Sequence, residues 1–190
     1  MLLSLLSKIL RAVIVCLLFN ISSFANNVII VESQSYHPLH SMDQEWLNIA
    51  QFNGDTGAIH PQSILDDAAA LAQADALIIS SAVILLDDTK TNNILTFIQN
   101  GGNVYLQSEF LATLSGNMAF QQIATDLGVN FNWVGEFAGY VTPITLTNSL
   151  ANFSDTPVEF AYWFYAGQGS GDENVEVIAE FQGDLSLIHI

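Results

Sequence analysis

Cysteine and positive charge are almost missing from this chain. Its one cysteine is Cys16, and Lys90 is the single cation after residue 25. Without a second thiol there is no intrachain disulfide, so stability must come from packing, for which a hydrophobic content of 51% provides the material. All 19 acidic residues lie beyond Ala25, and one cation against 19 carboxylates leaves a formal charge of −18 from residue 26 onward, compared with −16 for the whole chain. A field of that sign repels nucleic acid and anionic lipid, both of which are recognised by clustered Lys and Arg. Nucleic acid is thereby excluded as a partner. The acidic pairs Asp66-Asp67, Asp87-Asp88 and Asp172-Glu173 lack the alternating oxygen ligands of a calcium loop and read as solvating charge.

The two other cations, Lys8 and Arg11, precede an apolar run from Ala12 to Phe19, and the small residues Ser23 and Ala25 follow it. That order is the order of a secretory signal, with Ser23 and Ala25 at positions −3 and −1 of a cut. The apolar core is shorter than the roughly 20 residues a bilayer span needs, so cleavage is expected in preference to anchoring. Cys16 lacks the small residues that precede a lipidated cysteine. The expected organisation is a signal peptide over residues 1–25 and a single domain over 26–190, secreted or periplasmic, with no stable membrane insertion after cleavage. The chain stops inside the apolar run LSLIHI, which suggests truncation at the C-terminus.

Asn27 to Glu32 is a continuous apolar run of strand length, suited to a strand covered on both faces. Ser41, with Gln44 three residues on, forms a capping box for a helix whose Met42, Trp46, Ile49 and Ala50 share a face. A short strand at Ala58-Ile59 precedes an alanine-rich helix from Ser63 to Gln73, and residues 75–81 form another buried strand. Asp88 or Thr89 caps a third helix that ends at Gly101-Gly102, and NVYLQSE is the next strand. Phe120, Ile123, Ala124 and Leu127 mark a fourth helix, with a strand from Val129 to Val134 after it. Such alternation predicts an α/β fold, a three-layer sandwich around a mainly parallel sheet. Past Gly135 helical periodicity disappears; Tyr140–Thr147, Val158–Tyr165 and Val175–Phe181 read as a β-rich C-terminal extension at the sheet edge. Within it Gly167–Gly171 reads as a turn, and Gly183-Asp184 as the bend of a hairpin.

Ligands of an open parallel sheet gather at the carboxyl ends of its strands. Those ends are Glu32 and Ser33, Ser80 and Ser81, and Gln107, Ser108 and Glu109, with His37 and His40 in the loop after the first strand. The two histidines with Glu32 or Glu109 could hold a metal, although a two-residue gap in a proline-containing loop also describes an exposed polar loop. Ser108 could act as a nucleophile on a strand-to-helix turn with His37 or His40 as base, but QSEFL lacks the flanking glycines of such an elbow, and Glu109 opposes an oxyanion.

The order NVIIVES, ADALIISS, FIQNGGNVYLQSE and NVEVIAEFQGD resembles exported members of the class I glutamine amidotransferase-like superfamily over most of residues 27–181. The resemblance implies a flavodoxin-like sheet and one amidotransferase-like domain over 26–190. Amidotransferases proper carry a cysteine on the turn that matches Gln107-Ser108-Glu109 here. With no cysteine there, glutamine hydrolysis is not carried over. The expectation is therefore an exported, non-catalytic domain without cofactor that binds a small molecule, a glycan or an envelope protein at the carboxyl edge through Glu32, Ser33, Ser80, Ser81, Gln107 and Glu109. The alternative is a hydrolase that uses Ser108 or a metal held by His37 and His40.

Overall fold

The computed structural model describes residues 25–33, 41–81, 83–107, 113–137, 142–146, 160–162, 166–171, 173, 176–181 and 184–189. Four strands, β1 (Asn27–Val31), β2 (Thr56–His60), β3 (Ala76–Ile79) and β4 (Asn103–Leu106), form a parallel sheet in the order β2-β1-β3-β4. Between them lie α1 (Asp43–Phe52), a 3₁₀ turn (Gln62–Asp66) with the short α2 (Ala68–Leu71), and α3 (Asp88–Gln99); α4 (Ser115–Asp126) follows β4. The two central strands are the continuous apolar runs, because only strands covered on both faces can bury every side chain. Val28 to Val31 and Leu77 to Ile79 are all buried.

Strand alternation sorts these side chains into two cores. Val28, Ile30 and Ile78 pack with Trp46, Leu47 and Ala50 of α1 on one face. On the other, Ile29, Val31, Leu77 and Ile79 meet Leu65, Leu71, Ile94, Phe97, Phe120 and Ile123 from the remaining helical elements. Helices thus cover both faces, and the α/β sandwich around a flavodoxin-like parallel sheet is the observed fold. Among the described residues no helix is long and apolar enough to cross a membrane.

The end of α3 shows why the paired glycines stand where they do. Gly101 has φ +93, a conformation that side-chain-bearing residues rarely adopt, and its N–H donates to Ile98 O while that of Gly102 donates to Phe97 O. These two bonds are a Schellman closure and satisfy carbonyls the helix leaves unpaired. Gly102 is required for a different reason. A Cβ there would overlap the Phe97 ring at Cζ and both Cε atoms.

Three local expectations are corrected. The alanine-rich segment is not one helix: the Asp67 carboxyl accepts from the N–H groups of Ala69 and Ala70, which starts a new helix and separates α2 from the 3₁₀ turn. Ser41 and Gln44 do not form a capping box. Helix α1 begins at Asp43, whose N–H lies 3.4 Å from Ser41 Oγ, while Gln44 Nε2 donates to Asn48 Oδ1. The cap of α3 is Asp87, one residue before the expected pair.

Among the described residues the C-terminal part is β-rich but does not extend the parallel sheet. Strand β5 (Phe131–Phe137) pairs antiparallel with β8 (Ala166–Gly171), so the glycine cluster is strand and not turn. Strands β6 (Thr142–Leu146), β7 (Phe160–Tyr162), β9 (Glu176–Phe181) and β10 (Asp184–His189) form a second sheet in the order β10-β9-β6-β7. The expected hairpin is its β9–β10 pair, with Phe181 opposite Asp184.

Candidate functional site

In the strand order β2-β1-β3-β4, the chain leaves β1 toward one side of the sheet and β3 toward the other. The crevice between the carboxyl ends of β1 and β3 is the topological switch point, where no connection crosses and a ligand can enter. Parallel register aligns Val31 with Ile79 and Ile79 with Leu106, so Glu32, Ser80 and Gln107 each stand one residue past these rungs. The ladder continues through this step, with Glu32 N–H donating to His60 O and Gln107 N–H to Ile79 O. By alternation the three side chains top the row Ile30, Ile78, Tyr105 on the α1 face.

Over this row sits Asp43, the first residue of α1 and 7% exposed. Its Oδ2 accepts from the Ser33 N–H at 2.9 Å, and its Oδ1 accepts from the Ser80 hydroxyl at 3.1 Å. Ser80 is itself 5% exposed. One carboxyl group therefore ties the loop after β1, the end of β3 and the start of α1 together across the switch point. The Ser33 hydroxyl donates to Ser41 Oγ, and Ser81 Oγ, also buried, accepts from the Val83 N–H. One helical turn further, the Trp46 ring lies 4.6 Å from that of Tyr105, tilted by 51°, and the Tyr105 hydroxyl reaches Gln107 Oε1 at 3.4 Å. Trp46 Nε1 is buried without an acceptor among the described residues.

The structure brings Glu32, Ser33, Ser80, Ser81 and Gln107 to this edge. Ser108, Glu109, His37 and His40 lie outside the described residues. Asp43 was missed by sequence reading, though a signal for it exists. Asp43, Trp46, Leu47 and Ala50 follow the i, i+3, i+4, i+7 spacing of an inward helical face, and a carboxyl group at such a position needs buried partners.

Lys90, in the first turn of α3, does not serve the edge. Its Nζ lies 3.0 Å from both Asp66 Oδ1 and Asp87 Oδ2. The Asp66 carboxylate first, then that of Asp87, raises the Lys90 pKa above its ordinary value of 10.5. Asp87 is lowered from 3.8, chiefly by the Lys90 backbone N–H and then by its ammonium. The only cation beyond residue 25 is thus already paired. Among the described residues no group of three or more His, Cys, Asp or Glu is placed to hold a metal ion. A cleft of about 230 Å³ lies at the opposite, amino edge of the sheet, around Asp75 and Asn103. The candidate site is the switch point and not this cleft, because there the buried Asp43 carboxyl group ties the loop after β1, the end of β3 and the start of α1 together.

No family model matches the chain, and no curated protein does. Among solved structures, a ThuA-like protein of Bacteroides uniformis ATCC 8492 is similar with a TM-score of 0.56 at 12% identity, covering 85% of this chain and 70% of that one. Two cytoplasmic proteins of Salmonella typhimurium are also similar. STM1381 has a TM-score of 0.58 at 16% identity, with 85% and 82% of the two chains covered. STM3548 has 0.59 at 14%, with 86% and 81% covered. ThuA-like proteins have the class I glutamine amidotransferase-like fold, and that fold is what the likeness establishes for this chain.

Proposed function

We propose that this chain is an exported, non-catalytic member of the class I glutamine amidotransferase-like superfamily that binds a small molecule, a glycan or an envelope partner at the carboxyl edge of its parallel sheet. The observation that carries the reading is the Asp43 tie at the switch point, which holds Ser33 and Ser80 in fixed positions beside Glu32 and Gln107. Preorganised polar groups of this kind fix a ligand's orientation at low entropic cost. The absence of cysteine after residue 16 removes the superfamily's nucleophile, and the N-terminal segment supports export to a secreted or periplasmic location. A charge of −18, with Lys90 paired, favours neutral or cationic ligands over anions.

The test is a thermal-shift and calorimetric screen of neutral mono- and oligosaccharides and small polyols against the wild type, Gln107→Ala and Ser108→Ala. A ligand that loses affinity about tenfold with Gln107→Ala and keeps it with Ser108→Ala supports the reading. Turnover of any of these compounds that disappears in Ser108→Ala would make the protein an enzyme and overturn it.

A further inference from the structure

The amino-edge cleft has a composition that selects its own ligand. It opens between α2, the end of α3, the residues just before β3 and the first residue of β4, over a floor that includes the buried Leu71 and Phe97. Its polar wall is formed by Asp75, Asn93, Thr96, Asn100 and Asn103. Among the described residues, three of the wall's four donor side chains each spend one hydrogen within the protein, while Asn93 and Asn103 keep their second amide hydrogen and Asn100 keeps both. The Thr96 hydroxyl, its sole donor, is given to Asn92 O at 2.8 Å, while Asn93 Nδ2 donates to Leu65 O at 2.9 Å and Asn103 Nδ2 to Asp75 O at 3.3 Å. Acceptors remain. Asp75 Oδ2 takes the Asn27 N–H, but Asp75 Oδ1 and the side-chain oxygens of Asn93, Asn100 and Asn103 accept nothing among the described residues.

Electrostatics point the same way. The C-terminus of α3 ends on this wall at Asn100 to Gly102, where the aligned peptide dipoles place partial negative charge. No cation lines the cleft, and the Lys90 ammonium is bound between Asp66 and Asp87. Asp75 is the one charged residue of the lining, and the helix end adds to its sign, so the cleft favours a ligand that brings positive charge and hydrogen-bond donors, with an apolar part short enough for the floor. A volume of about 230 Å³ is below the ~300–1,000 Å³ of drug-sized sites and restricts the ligand to a few heavy atoms. We infer that the amino-edge cleft binds a small organic cation, a primary ammonium on a short carbon chain, independently of the carboxyl-edge site.

Three four-carbon probes separate charge from shape: putrescine, 1,4-butanediol and succinate, each titrated into ¹⁵N-labelled protein at about 0.15 M salt, where exposed charges more than ~8 Å apart are screened. Putrescine should shift amides in residues 68–75 and 93–103, with butanediol at least tenfold weaker and succinate silent. Asn100→Arg places a guanidinium at the mouth, on an exposed residue whose side chain makes no hydrogen bond among the described residues. It should weaken putrescine at least fivefold and leave the melting temperature and the remaining spectrum unchanged. Asp75→Asn, which keeps an acceptor for the Asn27 N–H, should weaken it as well. Putrescine shifts spread over all acidic segments would mean counterion condensation only, and the inference fails. It fails equally if butanediol matches putrescine, or if neither variant changes the affinity.

Discussion

Replacing Asp43 with alanine removes the acceptor of two hydrogen bonds from a position 7% exposed to solvent. The Ser80 hydroxyl, 5% exposed, is then left without its partner, at about 1–3 kcal/mol, while water can reach the half-buried Ser33 amide and limit the loss there. Relief of the desolvation of the carboxyl group offsets part of this, so the net loss is about 2–3 kcal/mol. For a domain of this size that lowers the melting temperature by roughly 4–12 °C. Asp43→Asn behaves differently, because its Oδ1 can accept the Ser33 N–H while its Nδ2 donates to the Ser80 oxygen; the expected loss is about 1 kcal/mol or less. Urea unfolding of the wild type, Asp43→Ala, Ser80→Ala and the double variant closes a cycle with a coupling energy of about 1–2 kcal/mol. If Asp43→Ala costs less than about 0.5 kcal/mol and adds to Ser80→Ala without coupling, the tie across the switch point is not a stabilising element.

Gly102→Ala forces a Cβ into the buried Phe97 ring and should cost about 1–3 kcal/mol in urea unfolding, with Phe97→Leu recovering part of it; additive effects would show that the contact relaxes freely. Lys90→Met removes the ammonium from two carboxylates. Because the Lys90 pKa is raised, the wild-type advantage is present below pH 10.5 and is lost as pH climbs through the raised value. Asp87 is lowered chiefly by the backbone N–H of residue 90, which the variant keeps; the smaller part due to the ammonium is present above pH 3.8 and is lost as pH falls through the lowered value. The difference in urea midpoint should therefore be widest between these limits, and a difference that does not vary with pH contradicts the assignment. Screening the repulsion of a chain of formal charge −16 should raise the melting temperature as sodium chloride increases from 0.01 to 0.5 M, and a flat or falling profile would show that self-repulsion does not limit stability.

Sequence pattern alone located the parallel sheet because its signals are local. The buried runs at Val28–Val31 and Leu77–Ile79 have the length and apolar continuity that suit doubly covered strands, and Gly101-Gly102 marks a helix end by its own backbone requirement. The break at Asp67 was hidden because high alanine propensity on both sides argues for one helix, whereas a single side-chain cap divides it. Pairing of the late strands was not legible either. Which strand joins which sheet is a non-local choice, and Gly167–Gly171 becomes a strand only because β5 lies beside it. At the edge, strand ends pointed to Glu32, Ser33, Ser80, Ser81 and Gln107, but Asp43 comes from a helix start, and reading the sheet alone cannot find it.

The central claim is that ligand binding belongs to the carboxyl edge, and amide chemical-shift mapping with the tightest neutral saccharide or polyol from the screen tests it most directly. The account predicts the largest shifts at Glu32, Ser33, Asp43, Ser80, Ser81 and Gln107, reduced in Gln107→Ala. Shifts confined to the amino edge around Asp75 and Asn103, or unaltered by Gln107→Ala, would contradict it.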